Sequence, residues 1–152
     1  MGFLISGTVS SNTNEIDTVP TQAVGTVLEG SDGFYEYVKF TATASNGHYV
    51  VITGTGDASG ITTTNAGSTY QKVGVAQADV TVANTYGWVW RGNGTSLGIV
   101  ANGVAAGNLT TTATAGVLGS GGTAVQGARS LAAGVTNTRV AVTAATLMTV
   151  NV

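Results

Sequence analysis

The sequence has 152 residues, of which 8% are charged, with a single histidine, His48, and no cysteine. This length suits one domain, and a core of that size needs no disulfides. Because no side-chain carboxylate follows Asp79, the chain holds few of the acids, bases and metal ligands that form catalytic sites, and we expect no enzyme activity, cofactor or metal.

The first third of the sequence predicts strands separated by polar loops. Residues 1–7 contain a short apolar run but lack the basic and long apolar regions of a secretory signal. They predict an edge strand or the start of an N-terminal arm over residues 1–21. Residues 34–40 alternate with period two, which is typical of a strand. Asn46-Gly47 is a strong tight-turn signal, and we expect it to join that strand to Tyr49–Ile52 in a hairpin.

The remaining sequence predicts short strands divided by glycine-rich loops. Residues 58–68 are rich in Gly, Thr and Asn, and they predict a loop or a seam within a single β domain over residues 1–152. Further loops are predicted at residues 92–94 and 119–122. The stretches rich in Val, Thr and aromatic residues predict strands at Gln71–Gln77, Tyr86–Arg91, Leu97–Ala101, Val140–Val142 and Leu147–Val152.

Many short strands with glycine-rich turns favour an all-β fold. We expect a compact antiparallel β-sandwich or barrel, jelly-roll-like, with glycine-rich loops. Two alanine-rich stretches leave room for a short helix, at Ala113–Ala115 and Ala124–Ala133.

Charge is distributed unevenly along the chain. Residues 1–57 carry six acidic residues against one lysine, whereas residues 58–152 carry four basic residues against one aspartate. Chance is one interpretation of so few charges. The other is that the basic half, with Arg91, Arg129 and Arg139, faces an acidic partner or an oligomer axis. Four dispersed cations do not form the clustered stripe of a nucleic-acid site, and no apolar run is long enough for a membrane helix.

His48 is the only residue from which a Ser–His–acid triad can be built. It directly follows a predicted turn, so we expect an exposed turn histidine. A catalytic interpretation requires His48 or the N-terminal acids to converge in one pocket. One imidazole without cysteine is a poor basis for a zinc site, and the acidic pairs Glu15/Asp17 and Glu29/Asp32 do not match a calcium loop.

Tyr86, Trp88 and Trp90 alternate along one predicted strand and therefore share a face. Such a face is most often part of a core. Two alternatives are a subunit interface, where aromatic residues are enriched, and a sugar-stacking platform. No obvious cluster of polar side chains accompanies the rings to support the sugar alternative.

The order of small-residue motifs after Val73 resembles a known family of viral proteins. The motifs are Gly74–Gln77, Gly87–Gly92, Gly103–Leu109, Ala113–Leu118, Val125–Ala128 and the closing strand Val140–Val142. In this order they resemble the small decoration, or cement, proteins of tailed-phage capsids. This chain departs from that pattern at Asn108, where an acid is common, and at Arg129 and Ser130, which interrupt an alanine-rich tract.

The resemblance covers residues 73–152 and implies a virion structural protein. It implies an all-β domain bound to the outer surface of the capsid head, often as a homotrimer. The implied partner is the major capsid protein, and the implied function is to stabilise the shell by bridging neighbouring capsomers. The alternatives are another virion β-protein, such as a tail or fibre component, and a carbohydrate-binding module that uses Tyr86, Trp88 and Trp90.

Overall fold

The computed structural model describes residues 4–6, 11–66 and 71–150, which form one short 3₁₀ helix and twelve β-strands. The predicted all-β class is confirmed. The 3₁₀ helix spans Ser11–Asn14. The strands are β1 Leu4–Ser6, β2 Ile16–Asp17, β3 Val27–Gly30, β4 Gly33–Phe40, β5 Tyr49–Ile52, β6 Asp57–Gly60, β7 Gln71–Ala76, β8 Thr85–Ile99, β9 Gly107–Thr111, β10 Leu118–Gly119, β11 Ala124–Ser130 and β12 Arg139–Val150.

Five of these strands close into a small barrel. Around the ring β4 pairs with β6, β6 with β5, β5 with β7, β7 with β8, and β8 with β4 again. The β4–β6 pair is parallel and the other four are antiparallel. Alternate side chains of the strands point inward. They form an apolar core that includes Val38, Phe40, Val50, Ile52, Ala58, Ala76 and Val89.

The other strands continue the sheet beyond the barrel as an outer layer. Strand β8 leaves the barrel and pairs with β12, and the order continues through β11 and β9 to β10. A second core fills the space between the barrel's outer surface and this layer. It includes Tyr37, Tyr49, Trp88 and Trp90 from the barrel and Leu109, Leu118, Val142 and Met148 from the outer layer. The predicted sandwich-or-barrel architecture is confirmed.

The N-terminal strands belong to the same sheet. Strand β1 lies at one edge, parallel to β3, and β2 pairs with β8. The part of the predicted arm that the structure describes therefore contributes an edge strand and a second short strand. The remainder of residues 1–10 lies outside the described residues.

The predicted loop at residues 92–94 is wrong, because β8 runs through it without interruption. Gly92 and Asn93 have positive φ angles of 121° and 59°, which bend the strand at the point where it leaves the barrel. Strand β12 takes over as hydrogen-bonding partner there, with Leu147 opposite Gly92 and Ala144 opposite Gly94. Two predicted strands thus form one strand of 15 residues.

The predicted hairpin at Asn46-Gly47 is also wrong. The turn itself forms, since the His48 amide donates to the Ser45 carbonyl over 2.9 Å and Gly47 has a φ of 94°. However, β5 pairs with β6 and β7 rather than with β4. The reason is that β4 has no free edge, because β8 pairs along one side and β3 and β6 pair along the other. The turn leads instead from the Ala44–Val80 bridge into β5.

Three further elements differ from the predictions. Ala124–Ser130 is a strand, so the helical alternative is wrong there. The last two predicted strands are parts of one strand, β12. The predicted loop at residues 58–68 begins within β6, and residues 67–70 lie outside the described residues. Pairing of β4 with β8 joins the parts of the chain on either side of this stretch.

Tyr49 is fully buried, and its hydroxyl has no hydrogen-bond partner among the described residues. Burial raises the pKa of Tyr49 far above its ordinary value. An unpaired buried hydroxyl loses hydration without compensation. We therefore expect Tyr49→Phe to raise the free energy of unfolding by about 1 kcal/mol in urea titrations.

Tyr35 is the matched control, because its hydroxyl donates to a carboxylate oxygen of Asp32 over 2.8 Å. Tyr35→Phe is expected to lower the free energy of unfolding by about 1 kcal/mol. Destabilisation of both variants to the same extent would contradict the assignment of an unpaired Tyr49 hydroxyl.

Candidate interaction face

The two tryptophans of the predicted aromatic face are buried within the chain. Trp90 is 0% exposed and Trp88 is 8% exposed, and the Trp90 indole N–H donates to the Asp32 carbonyl over 2.9 Å. Tyr86 is half-buried and stacks on Tyr37 with 6.4 Å between ring centroids. The burial of both indole rings fits the core interpretation, and they do not offer exposed surfaces for stacking on a sugar.

Arg91 lies inside the protein, where it binds Glu36. Its Nη1 donates to Glu36 Oε2 over 2.6 Å, while Nε donates to the Val73 carbonyl and Nη2 to the Met148 carbonyl. Glu36 is 1% exposed and also accepts from Lys72 Nζ over 2.6 Å. The expectation that Arg91 belongs to an exposed basic face is corrected by this burial, because its guanidinium connects the barrel to β12.

Arg129 and Arg139, by contrast, lie on one exposed face of the outer layer. Residues directly opposite each other in an antiparallel pair share a side, as do alternate residues of one strand. Thr143 of β12 lies opposite Arg129 of β11, and Arg139 precedes Thr143 on the same side of β12. The two arginines are therefore about 14 Å apart on one side of the sheet. We define the arginine face by Thr95, Leu97, Arg129, Arg139, Ala141 and Thr143.

The charges of the arginine face are not neutralised within the described parts of the chain. Both salt bridges found there involve Glu36, so neither Arg129 nor Arg139 has a carboxylate partner among those residues. Leu97 on this face is 47% exposed, and nearby Leu131 is 53% exposed. The face thus combines two available guanidinium groups with the exposed Leu97 and lies beside the exposed Leu131, a combination suited to contact with an acidic and partly apolar surface.

Two grooves flank Arg139. A groove of about 580 Å³ is lined by His48, Asp79, Asn137 and Arg139 among others. A second, of about 550 Å³, is lined by Arg139, Leu97, Leu131 and Asp32 among others. Each groove is therefore lined by one aspartate as well as by Arg139.

His48 is half-buried rather than exposed as predicted, because its ring packs on Gly116. This burial lowers the pKa of His48, and the nearby carboxylate of Asp79 partly opposes the shift. His48 Nδ1 accepts a hydrogen bond from the Ser45 amide over 3.2 Å. In a Ser–His–acid triad that nitrogen donates to the acid, so this arrangement does not reproduce a triad.

No group of three metal-binding side chains from His, Cys, Asp or Glu occurs in the described ranges. Within the same ranges, no helix has the length and apolar character needed to cross a bilayer.

Sequence reasoning selected Arg129 and Arg139 but missed what distinguishes them from Arg91. The available signal was Glu36, which shares a strand face with Val38 and Phe40. An acid on an apolar face requires a cation. Sequence reasoning also missed that two departures from the resembling pattern, Asn108 and Arg129, lie directly opposite each other in the β9–β11 pair.

Comparisons with protein-family models, with curated proteins and with solved structures found no match to this chain.

Proposed function

We propose that this protein is a structural virion protein that decorates the outside of a phage capsid and binds the major capsid protein. The observation that carries this proposal is the arginine face, on which Arg129 and Arg139 are exposed without carboxylate partners among the described residues. It lies within the part of the sequence that resembles capsid decoration proteins. Binding through this face would bridge neighbouring capsomers.

The physical basis of such a function is linkage. A protein that binds the assembled, expanded shell more tightly than it binds the other states of the shell stabilises the expanded state. Each contact made by the arginine face and the neighbouring Leu131 is modest by itself. Repetition on a symmetric lattice, or linkage of copies within a homotrimer, increases the total effect through effective concentration.

The test is binding of the purified protein to undecorated expanded heads, measured by co-sedimentation. We expect Arg129→Glu and Arg139→Glu each to weaken binding about tenfold or more, because the loss of an attractive contact is combined with repulsion from an acidic partner. The double variant is expected to leave heads undecorated. Arg91→Glu is unsuitable for this test, since Arg91 is buried and its reversal would disrupt folding.

The control is Gln22→Glu/Thr64→Glu, which changes the net charge as much as one arginine reversal at two exposed positions outside the arginine face. It is expected to bind heads like the wild type. Equal binding by all variants would contradict the assignment of the face. Labelled protein found only on tails would contradict head decoration and favour a tail or fibre component.

A further inference from the structure

Strands β9 and β11 separate beside Arg129. They pair at Ala124–Thr110 and again at Arg129–Asn108, and between these points four residues of β11 face one residue of β9. Gly127 has a φ of 85°, and the register of β11 against β12 also shifts at this position. This separation leaves a groove of about 340 Å³.

Several of the side chains that line this groove carry hydrogen-bond donors, and the others are apolar. Arg129, Asn108 and Gln126 make no side-chain hydrogen bond to any described residue, so the guanidinium and both amide groups are available. Thr110 Oγ1 accepts from the Gly122 amide, which leaves its hydroxyl hydrogen free to donate. Thr143 contributes little, because its hydroxyl already donates to the Gly94 carbonyl.

No acidic residue is among the described residues that line the groove. This distinguishes it from the two grooves beside Arg139, which contain Asp79 and Asp32. A donor-rich groove with one net positive charge suits an anionic acceptor. The planar fork of an arginine matches the two oxygens of a carboxylate, which makes a charge-assisted bidentate pair the best fit.

We propose that the groove between β9 and β11 binds an aspartate or glutamate side chain of the partner protein, with Arg129 as the cation that recognises it. This inference rests on the proposed function for the identity of the partner, and it assigns the chemistry of one anchoring contact. Asn108, directly opposite Arg129, supplies an amide donor beside the guanidinium.

The groove can be tested without capsids. The full chain, labelled with ¹⁵N, is titrated with the blocked tripeptide acetyl-Ala-Asp-Ala-amide and followed by NMR. We expect saturable shifts of the Arg129 Nε–H, the Asn108 and Gln126 side-chain amides, and the Gly127 backbone amide. The matched peptide acetyl-Ala-Asn-Ala-amide is expected to bind about tenfold more weakly, because it lacks the charge that strengthens each hydrogen bond.

Asn108→Asp is the most informative variant, because it places a carboxylate opposite Arg129 within the chain itself. We expect this internal carboxylate to compete with the peptide and abolish the saturable shifts. Asn102→Asp is the matched control, since it adds the same charge at an exposed turn position outside the groove, and it is expected to bind like the wild type. Arg129→Gln is expected to lose binding and to keep the wild-type unfolding midpoint.

Three results would overturn the assignment. The first is equal binding of the Asp and Asn peptides. The second is unchanged binding by Asn108→Asp. The third is equal or tighter binding of inorganic phosphate, or of acetyl-Ala-Ala-Ala with a free terminal carboxylate, which would reassign the groove to another anion.

Failure of the proposed function is separable from failure of this inference. If the wild type does not bind heads but the peptide still binds at the groove, the capsid partner is wrong and the carboxylate assignment stands. If heads are bound normally by Asn108→Asp and Arg129→Gln, the groove assignment is wrong and decoration depends on other contacts.

Discussion

Glu36→Gln is expected to lower the free energy of unfolding by about 3–5 kcal/mol, because it leaves the charge of Arg91 buried and uncompensated. The change preserves side-chain size and removes the negative charge that both basic neighbours bind. Arg91 also donates to carbonyl groups of β7 and β12, so it cannot move to solvent without breaking those contacts. Urea titration monitored by tryptophan fluorescence measures the loss.

Lys72→Met provides the matched control for this prediction. Lys72 binds the same carboxylate, but its side chain is 41% exposed, whereas that of Arg91 is 6% exposed. Solvent screens the Lys72–Glu36 pair, so we expect a loss of no more than about 1 kcal/mol. Equal losses for the two variants would contradict the assignment of Arg91 as the critical partner.

A double replacement separates charge from packing. Glu36→Leu combined with Arg91→Met removes both buried charges and keeps apolar volume in their place. We expect the double variant to be more stable than either single variant. If it is less stable than the wild type, the ion pair and the hydrogen bonds from Arg91 to the backbone together contribute more than the desolvation of the two charges costs.

Trp90→Ala is expected to lower the free energy of unfolding by about 3–5 kcal/mol. The indole is fully buried between the barrel and the outer layer, and its removal leaves a cavity and an unpaired Asp32 carbonyl. Thermal unfolding followed by circular dichroism measures the effect. Natural domains are stable by only about 5–15 kcal/mol, so this single change is expected to remove a large part of the total.

Leu147→Ala is the control for the tryptophan variant, because Leu147 is 45% exposed and lies on the same long strand as several core residues. It is expected to change stability by less than about 0.5 kcal/mol. A Trp90→Ala protein that is as stable as the wild type but loses binding on a glycan array would reverse the core interpretation and favour the sugar platform.

Local pattern was sufficient for the fold class but not for the pairing of strands. Alternation along residues 34–40 and the Val-rich stretch at Tyr49–Ile52 both predicted strands that form. The prediction that these two strands pair with each other was wrong, because β6 lies between them in the ring. No local signal in Asp57–Gly60 distinguishes such a strand from a loop. Tertiary contacts therefore decided what the turn at Asn46-Gly47 connects.

The candidate site was only partly predictable for a similar reason. The sequence places three arginines in the basic half but does not indicate which of them are exposed. The registers of β8, β11 and β12 place Arg129 and Arg139 on one exposed side, and pairing across 55 residues encloses Arg91 with Glu36. The register of a strand depends on the whole sheet, and the local sequence specifies it only weakly in glycine-rich strands.

Strand β8 has a mechanical consequence for any partner bound at the arginine face. Its first half forms a wall of the barrel and its second half pairs with β12, the strand that carries Arg139. Tension applied at the arginines passes from β12 through its hydrogen bonds to β8, and then along the backbone of β8 into the barrel. Peeling the outer layer away as a flap would require the pairing of β12 with both β8 and β7 to break, so two strands of the closed ring resist it.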